Sequence, residues 1–179
     1  MRALVVYESM FGNTREIALA VAAGIGARMP VETVEVGSAP TVLPDDVSLL
    51  VIGGPTHAHG MSKPESRGDS AKRAGDRLVS RGAGIREWLD TFRGSGHHVA
   101  AAAFDTRIKG PELLWGSASK GAAKGLKSLG FRVVADPESF LVGGPTGPLF
   151  DRLVDGEVER ARAWGEGLAA KLAAPAGGR

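Results

Sequence analysis

The sequence predicts an α/β fold in which helices cover both faces of a parallel sheet. Three observations carry the prediction. Short, near-continuous apolar runs at 2–7, 47–52 and 98–104 have the character of strands buried on both faces. Segments with apolar residues at helical spacing lie between and after them, giving the order β-α-β-(loop)-β-α-β-α-β-α. Right-handed crossovers in such an order bring every strand's carboxyl end to one edge, so loops 8–14, 53–62 and 105–116 share that edge. No internal repeat is visible. Residues 1–174 read as a single domain, with 175–179 as a disordered tail.

The elements follow in turn. After the first strand, Ile17, Val21 and Ile25, with Ala18 and Ala22 beside them, mark one face of a helix that Pro30 stops. Val31 to Val36 alternate apolar and polar, as a half-buried strand near a sheet edge does. Val47 to Ile52 form the next strand, ending at Gly53-Gly54-Pro55. Residues 53–82 show no sustained period and read as a long loop, basic over 63–82, with helix expected only from Ser70 to Val79. Ile85, Trp88, Leu89 and Phe92 mark an amphipathic helix, and residues 98–104 the central alanine-rich strand. Ala118, Ala122, Leu126 and Leu129 line a helix that Gly130 terminates. Arg132–Ala135 and Ser139–Val142 read as two pieces of one strand broken at Pro137. The last helix is expected from about Asp151 to Leu172.

Composition narrows the function. The chain has 179 residues, 43% hydrophobic and 23% charged, which suits one globular domain with a real core. With no cysteine it has no disulfide, thiolate nucleophile, iron–sulfur cluster or cysteine-held zinc, and it fits a cytoplasmic setting. No apolar stretch is long enough for a membrane span. The net charge of +2 is local: six lysines and arginines lie within 63–82 against three acids. Without aromatics beside them they do not make a nucleic-acid surface.

Residues 8–14 sit between a strand's carboxyl end and a helix's amino end. Free backbone N–H groups and the positive end of the helix dipole converge there. Ser9, Asn13 and Thr14 add side-chain donors and Gly12 lets the turn close, so the turn suits an anion, foremost a phosphate. The second loop offers glycines for close approach and flat or polarizable groups in His57, His59 and Met61. The third brings Asp105, Thr106 and Arg107, with Trp115 further on. A phosphate seat beside two such loops suits a mononucleotide with a flat ring.

On these residues the chain resembles the flavodoxin family over nearly its whole length. Ser9-Met10-Phe11-Gly12-Asn13-Thr14 is similar to the family's phosphate loop, and Gly53-Gly54-Pro55-Thr56 to its second flavin loop. The resemblance implies a five-stranded sheet in the order 2-1-3-4-5 with FMN at the switch point. It further implies that Ser9, Met10, Phe11, Gly12, Asn13 and Thr14 hold the FMN phosphate. Pro55, Thr56, His57, Ala58, His59 and Gly60 would line one side of the ring, and Phe104, Asp105, Thr106 and Arg107 its other edge. The family's usual ring-stacking tyrosine has no counterpart, because Tyr7 lies inside the first strand; His57, His59, Met61 or Trp115 would stack instead. The family is also usually acidic, and this chain is not.

Simpler readings stand beside these. The first loop could be an ordinary capped helix start. Asp105 could cap backbone donors in its turn. Trp115 serves equally as a hydrophobic plug or a ring stacker, and Trp88 and Trp164 belong to helix packing. A metal site joining His57 and His59 to His97 and His98 has no carboxylate partner nearby, and the two pairs lie on different loops. If FMN binds, a peptide turning over at Gly60 can offer a carbonyl to flavin N5 and favour one-electron traffic. The expected function is one-electron transfer to a redox partner protein or a small electron acceptor. The alternatives are an FMN-dependent oxidoreductase, of the quinone reductase or protoporphyrinogen oxidase-like kind, and a flavin-free binding module.

Overall fold

The computed structural model describes residues 1–57, 60–110, 116–144 and 152–173. Strands β1 (Arg2–Tyr7), β2 (Val31–Glu35), β3 (Val47–His57) and β5 (Ala100–Ile108) form a parallel sheet in the order β2-β1-β3-β5. Beyond β5, β6 (Arg132–Val133) pairs with its amino half and β7 (Glu138–Val142) with its carboxyl half. The two pieces act as one interrupted strand, so the order 2-1-3-4-5 is met. A short β4 (Gly60–Met61) folds back antiparallel on the end of β3.

Strict alternation on the strands feeds two cores. Ala3, Val5, Leu49, Val51 and Phe104 face one side, where helices α1 (Asn13–Gly26) and α5 (Glu157–Ala173) bring Ile17, Val21, Ile25 and Leu168. Leu4, Val6, Leu50 and Ile52 face the other, under α3 (Ile85–Thr91) and α4 (Ala118–Ser128), which contribute Trp88, Leu89 and Leu126. Each side thus buries a stripe of one helix pair against one pleat face. On the first side α1 and α5 touch through glycines: a Cβ on Gly24 or Gly165 would overlap the backbone carbonyl of Arg162 or Val21.

Several boundaries differ from those expected. Strand β3 continues past Ile52 to His57, and β5 runs from Ala100 to Ile108 rather than from 98 to 104. The two pair in register from Leu49–Ala100 out to Pro55–Thr106. Apolar runs mark only the part of a strand that helices cover on both faces, whereas the hydrogen-bond ladder continues beyond it. His98 lies before the strand in a left-handed turn at φ 72.

Residues 63–82 are not the loop expected. Helix α2 (Pro64–Ala74) fills the first half, followed by a single 3-10 turn at Gly75–Arg77. Pro64 at its first position, Glu65 in its first turn and Lys72 and Arg73 in its last are ordinary helix signals. The apolar stripe is missing: Ala74 is its one buried residue, and that absence hid it. The last helix starts at Glu157, six residues later than expected. The expected tail at 175–179 lies outside the described residues. Among the described residues no helix is long and apolar enough to cross a membrane.

Candidate functional site

The strand order reverses between β1 and β3, and the loops at their carboxyl ends open there on a cavity of about 630 Å³. Met10, Phe11, Asn13 and Thr14 line it from the first loop, Pro55, Thr56 and His57 from the end of β3, and Thr106, Arg107 and Ile108 from the end of β5. The three loops that share an edge in the sequence reading therefore share a cavity.

In the first loop Gly12 takes φ 101, a left-handed conformation that a side chain would strain, and this turns the chain into α1. Ser9 is fully buried, and its Oγ accepts hydrogen bonds from the N–H groups of Gly12 (3.1 Å) and Arg15 (3.3 Å). It shapes the turn from beneath and does not line the cavity. Thr14 Oγ1 lies 2.7 Å from Thr106 Oγ1, a buried bond that ties the first loop to the third.

The second loop is held from the side. Thr56 Oγ1 accepts from the Ala118 N–H at 2.9 Å, at the start of α4. His57 Nδ1 is 3.1 Å from Ser66 Oγ on α2. Burial, and then the charge of Arg67, hold the His57 imidazole below its usual range, so the neutral ring is favoured. Gly60 pairs with His57 across the hairpin and is not a lining residue. Ala58, His59 and Trp115 lie outside the described residues.

On β5 alternation puts Phe104 and Thr106 on one face and Asp105 and Arg107 on the other, and position along the strand decides which reach the cavity. Phe104 points into the core against Phe140 and Trp164, where Gly53 leaves room for its ring. Asp105 is fully buried, and its Oδ2 accepts from Ser117 Oγ and the Ser119 N–H, both at 2.8 Å. It caps the first turn of α4 rather than backbone donors in its own turn. Arg107 lines the cavity; its Nη1 donates to the Gly110 carbonyl at 2.9 Å, and its buried Nε has no partner among the described residues.

Residues that the sequence reading passed over complete the wall. Ser66, Asp69, Ser70 and Arg73 face the cavity from α2, with Arg77 just after it and Val142, Gly143 and Gly144 from the end of β7. Spacing of three, four and seven along α2 is a helical face, but a polar one, so hydrophobic periodicity could not reveal it.

Behind this wall lies a polar cluster. Glu8 is buried, accepts from Ser62 Oγ, and accepts from the Ile85 N–H at 2.9 Å. Arg67 Nη1 donates to Ser62 Oγ at 2.9 Å and sits 3.0 Å from Glu87 Oε2. Burial pushes the Glu8 carboxyl above its usual range, while these donors and Arg67 pull the other way.

No protein-family model and no curated protein matches the chain. Solved structures do. A flavodoxin from the domain Archaea superposes with TM-score 0.65 at 18% identity, over 97% of this chain and 100% of that one. Flavodoxin 1 from Bacillus cereus gives 0.65 at 19%, over 96% and 98%. The fold is flavodoxin-like. Rubredoxin oxygen:oxidoreductase from Desulfovibrio gigas gives 0.59 at 17% over 97% of this chain, which spans 37% of that protein. A flavodoxin-like sheet binds its ligand outside the carboxyl ends at the strand-order reversal, which is where the cavity lies here.

Proposed function

We propose that this chain binds FMN without a covalent bond and passes single electrons between protein partners. The observation that carries the reading is the cavity at the reversal point, where the anion seat of 9–14 meets the ends of β3 and β5. Its size falls within the range of small-molecule sites. The left-handed Gly12, and the Nε of Arg107 that has no partner among the described residues, fit an anionic, ring-bearing ligand. In this reading Ser9 to Thr14 form the phosphate loop, Ser9 by shaping its turn from beneath. Pro55 to Gly60 and Phe104 to Arg107 flank the ring, Gly60 through the hairpin that pairs it with His57. Phe104 and Asp105 do so through backbone, since their side chains are engaged elsewhere. His57, held neutral, and Trp115 are the stackers proposed in place of a tyrosine. Bound FMN supplies the electron-accepting ring, and the protein supplies binding, orientation and electrostatics. A cysteine-free chain suits this role in the cytoplasm.

A second reading, an FMN-dependent oxidoreductase of the quinone reductase or protoporphyrinogen oxidase-like kind, draws on α2, which walls the cavity as a substrate cover would. FMN added to the purified chain should bind with loss of flavin fluorescence. Bound flavin that reduces in two resolved one-electron steps, without turnover of a reduced nicotinamide and a quinone, favours the carrier. Rapid turnover favours the enzyme. Failure to bind at about millimolar FMN, an affinity of about 4 kcal/mol, ends both and leaves a flavin-free module.

A further inference from the structure

Cavity charge is one-sided. Arg73, Arg77 and Arg107 line it, and among the described lining residues Asp69 is the one carboxylate. Two of these arginines come from the segment between β4 and α3, and the structure fixes where that segment runs. The Ser80 N–H donates to the Ser9 carbonyl at 2.8 Å and the Val79 N–H to the Met10 carbonyl at 3.2 Å. In return the Ser9 N–H donates to Ser80 Oγ at 3.0 Å. Three hydrogen bonds thus lay residues 79–80 along the start of the first loop, and Arg77 stands two residues before them. At its other end the segment is tied through Ser62 and Arg67 to Glu8, the residue just before that loop.

Helix α2 is therefore strapped across the cavity between two anchors on residues 8–10. A helix with one buried residue has almost no apolar face to hold it, so the anchors set its position. What it presents to the cavity is polar: Ser66, Asp69, Ser70 and Arg73. Asp69 is drawn off toward Lys72, 3.5 Å away on the exposed side.

We propose that Arg73 and Arg77 form a cationic clamp over the anion seat of the first loop, taking the phosphate monoester of a bound mononucleotide. The strap makes the site selective for phosphorylated over unphosphorylated flavin. This rests on the reading that the site holds FMN. A seat of neutral N–H and hydroxyl groups binds phosphate by hydrogen bonds and the partial charge of the helix dipole; guanidinium groups add full charge, charge-assisted bonds and a planar fork matched to phosphate oxygens. Both side chains lie at the solvent-exposed mouth, so the charge contribution is salt-sensitive.

The test is fluorescence titration of the full chain with FMN and with riboflavin, at low and at high salt. Arg73→Gln and Arg77→Gln should each weaken FMN about tenfold, and the pair about a hundredfold, with riboflavin affinity unchanged. The preference for FMN should shrink at high salt. Arg73→Lys with Arg77→Lys keeps the charge and should keep most of the preference, which also covers the case where the glutamine pair does not fold. Lys124→Gln, exposed on α4 and outside the cavity, should change neither affinity. Equal losses for FMN and riboflavin, or no loss for either, overturn the clamp. If the native chain binds neither flavin, the function above fails and the clamp is judged with phenyl phosphate. Binding that the double glutamine variant abolishes then upholds it, and absence of binding overturns it.

Discussion

Replacing Glu8 by alanine removes the acceptor on which the strap is anchored. Two donors lose their partner: Ser62 Oγ and the Ile85 N–H, the latter at 2.9 Å. Arg67 loses the far end of the chain that it starts through Ser62. A hydrogen bond to a charged group contributes about 1.5–3 kcal/mol, and a buried donor left unmet costs about 1–3 kcal/mol. Burial of the carboxylate offsets part of this, as the raised Glu8 pKa records. The net loss expected for Glu8→Ala is about 2–4 kcal/mol, read as a lower urea midpoint with an unchanged slope. Glu8→Gln keeps the shape and should lose about half as much or less near neutral pH. Its pH dependence isolates the charge. A carboxyl whose folded pKa is raised contributes stability that is fully present below its unfolded pKa and is lost as pH rises through the folded one. The native chain should therefore lose ground to Glu8→Gln as pH rises above the ordinary carboxylate range. A difference that stays flat over that rise, or an alanine variant as stable as the parent, refutes this account of the cluster.

Gly53→Ala places a methyl group inside the Phe104 ring and should cost about 1–3 kcal/mol, with Phe104→Leu in the same chain recovering part of it in a thermal melt. Gly165→Ala, pressed on the Val21 carbonyl where α1 meets α5, should cost a similar amount, about 1–3 kcal/mol, and leave ligand affinity per folded molecule unchanged by titration. Thr14→Val and Thr106→Val should each destabilise by about 1 kcal/mol but together by less than their sum, because each leaves the other's hydroxyl unmet; additive losses in a double-mutant cycle would contradict the 2.7 Å bond. For His57 the sign is the reverse of that for Glu8: its lowered folded pKa means stability present above the unfolded value and lost as pH falls through the folded one. Against His57→Phe, the native chain should lose melting temperature as pH falls below the ordinary imidazole range, and parallel curves would count against a buried neutral ring.

Much of the fold was legible because it is written in local periods. Leu4, Val6, Leu50 and Ile52 alternate with Ala3, Val5, Leu49 and Val51, and each set turned out to face its own helix pair. Gly130, expected to stop a helix, does so at φ 85. Strand ends were less legible: Thr56, His57, Thr106 and Arg107 carry no apolar signal, and they are strand only because β3, β4, β5 and β7 supply ladder partners.

By itself the sequence determined the α/β alternation, the two buried faces and the three loops that share an edge, because burial and chain direction leave a pattern readable within a few residues. Tertiary structure alone decided what walls the cavity. Helix α2 has no hydrophobic stripe to announce it, and its place depends on Glu8 and Ser9, more than fifty residues away in the chain, meeting Ser62 and Ser80. Polar contacts between residues so far apart in sequence leave no periodic trace. For the same reason Phe104 and Asp105 could not be told from Thr106 and Arg107 as cavity residues until the register of β5 against β3 set which of them turned toward the core, which capped α4 and which turned toward the cavity.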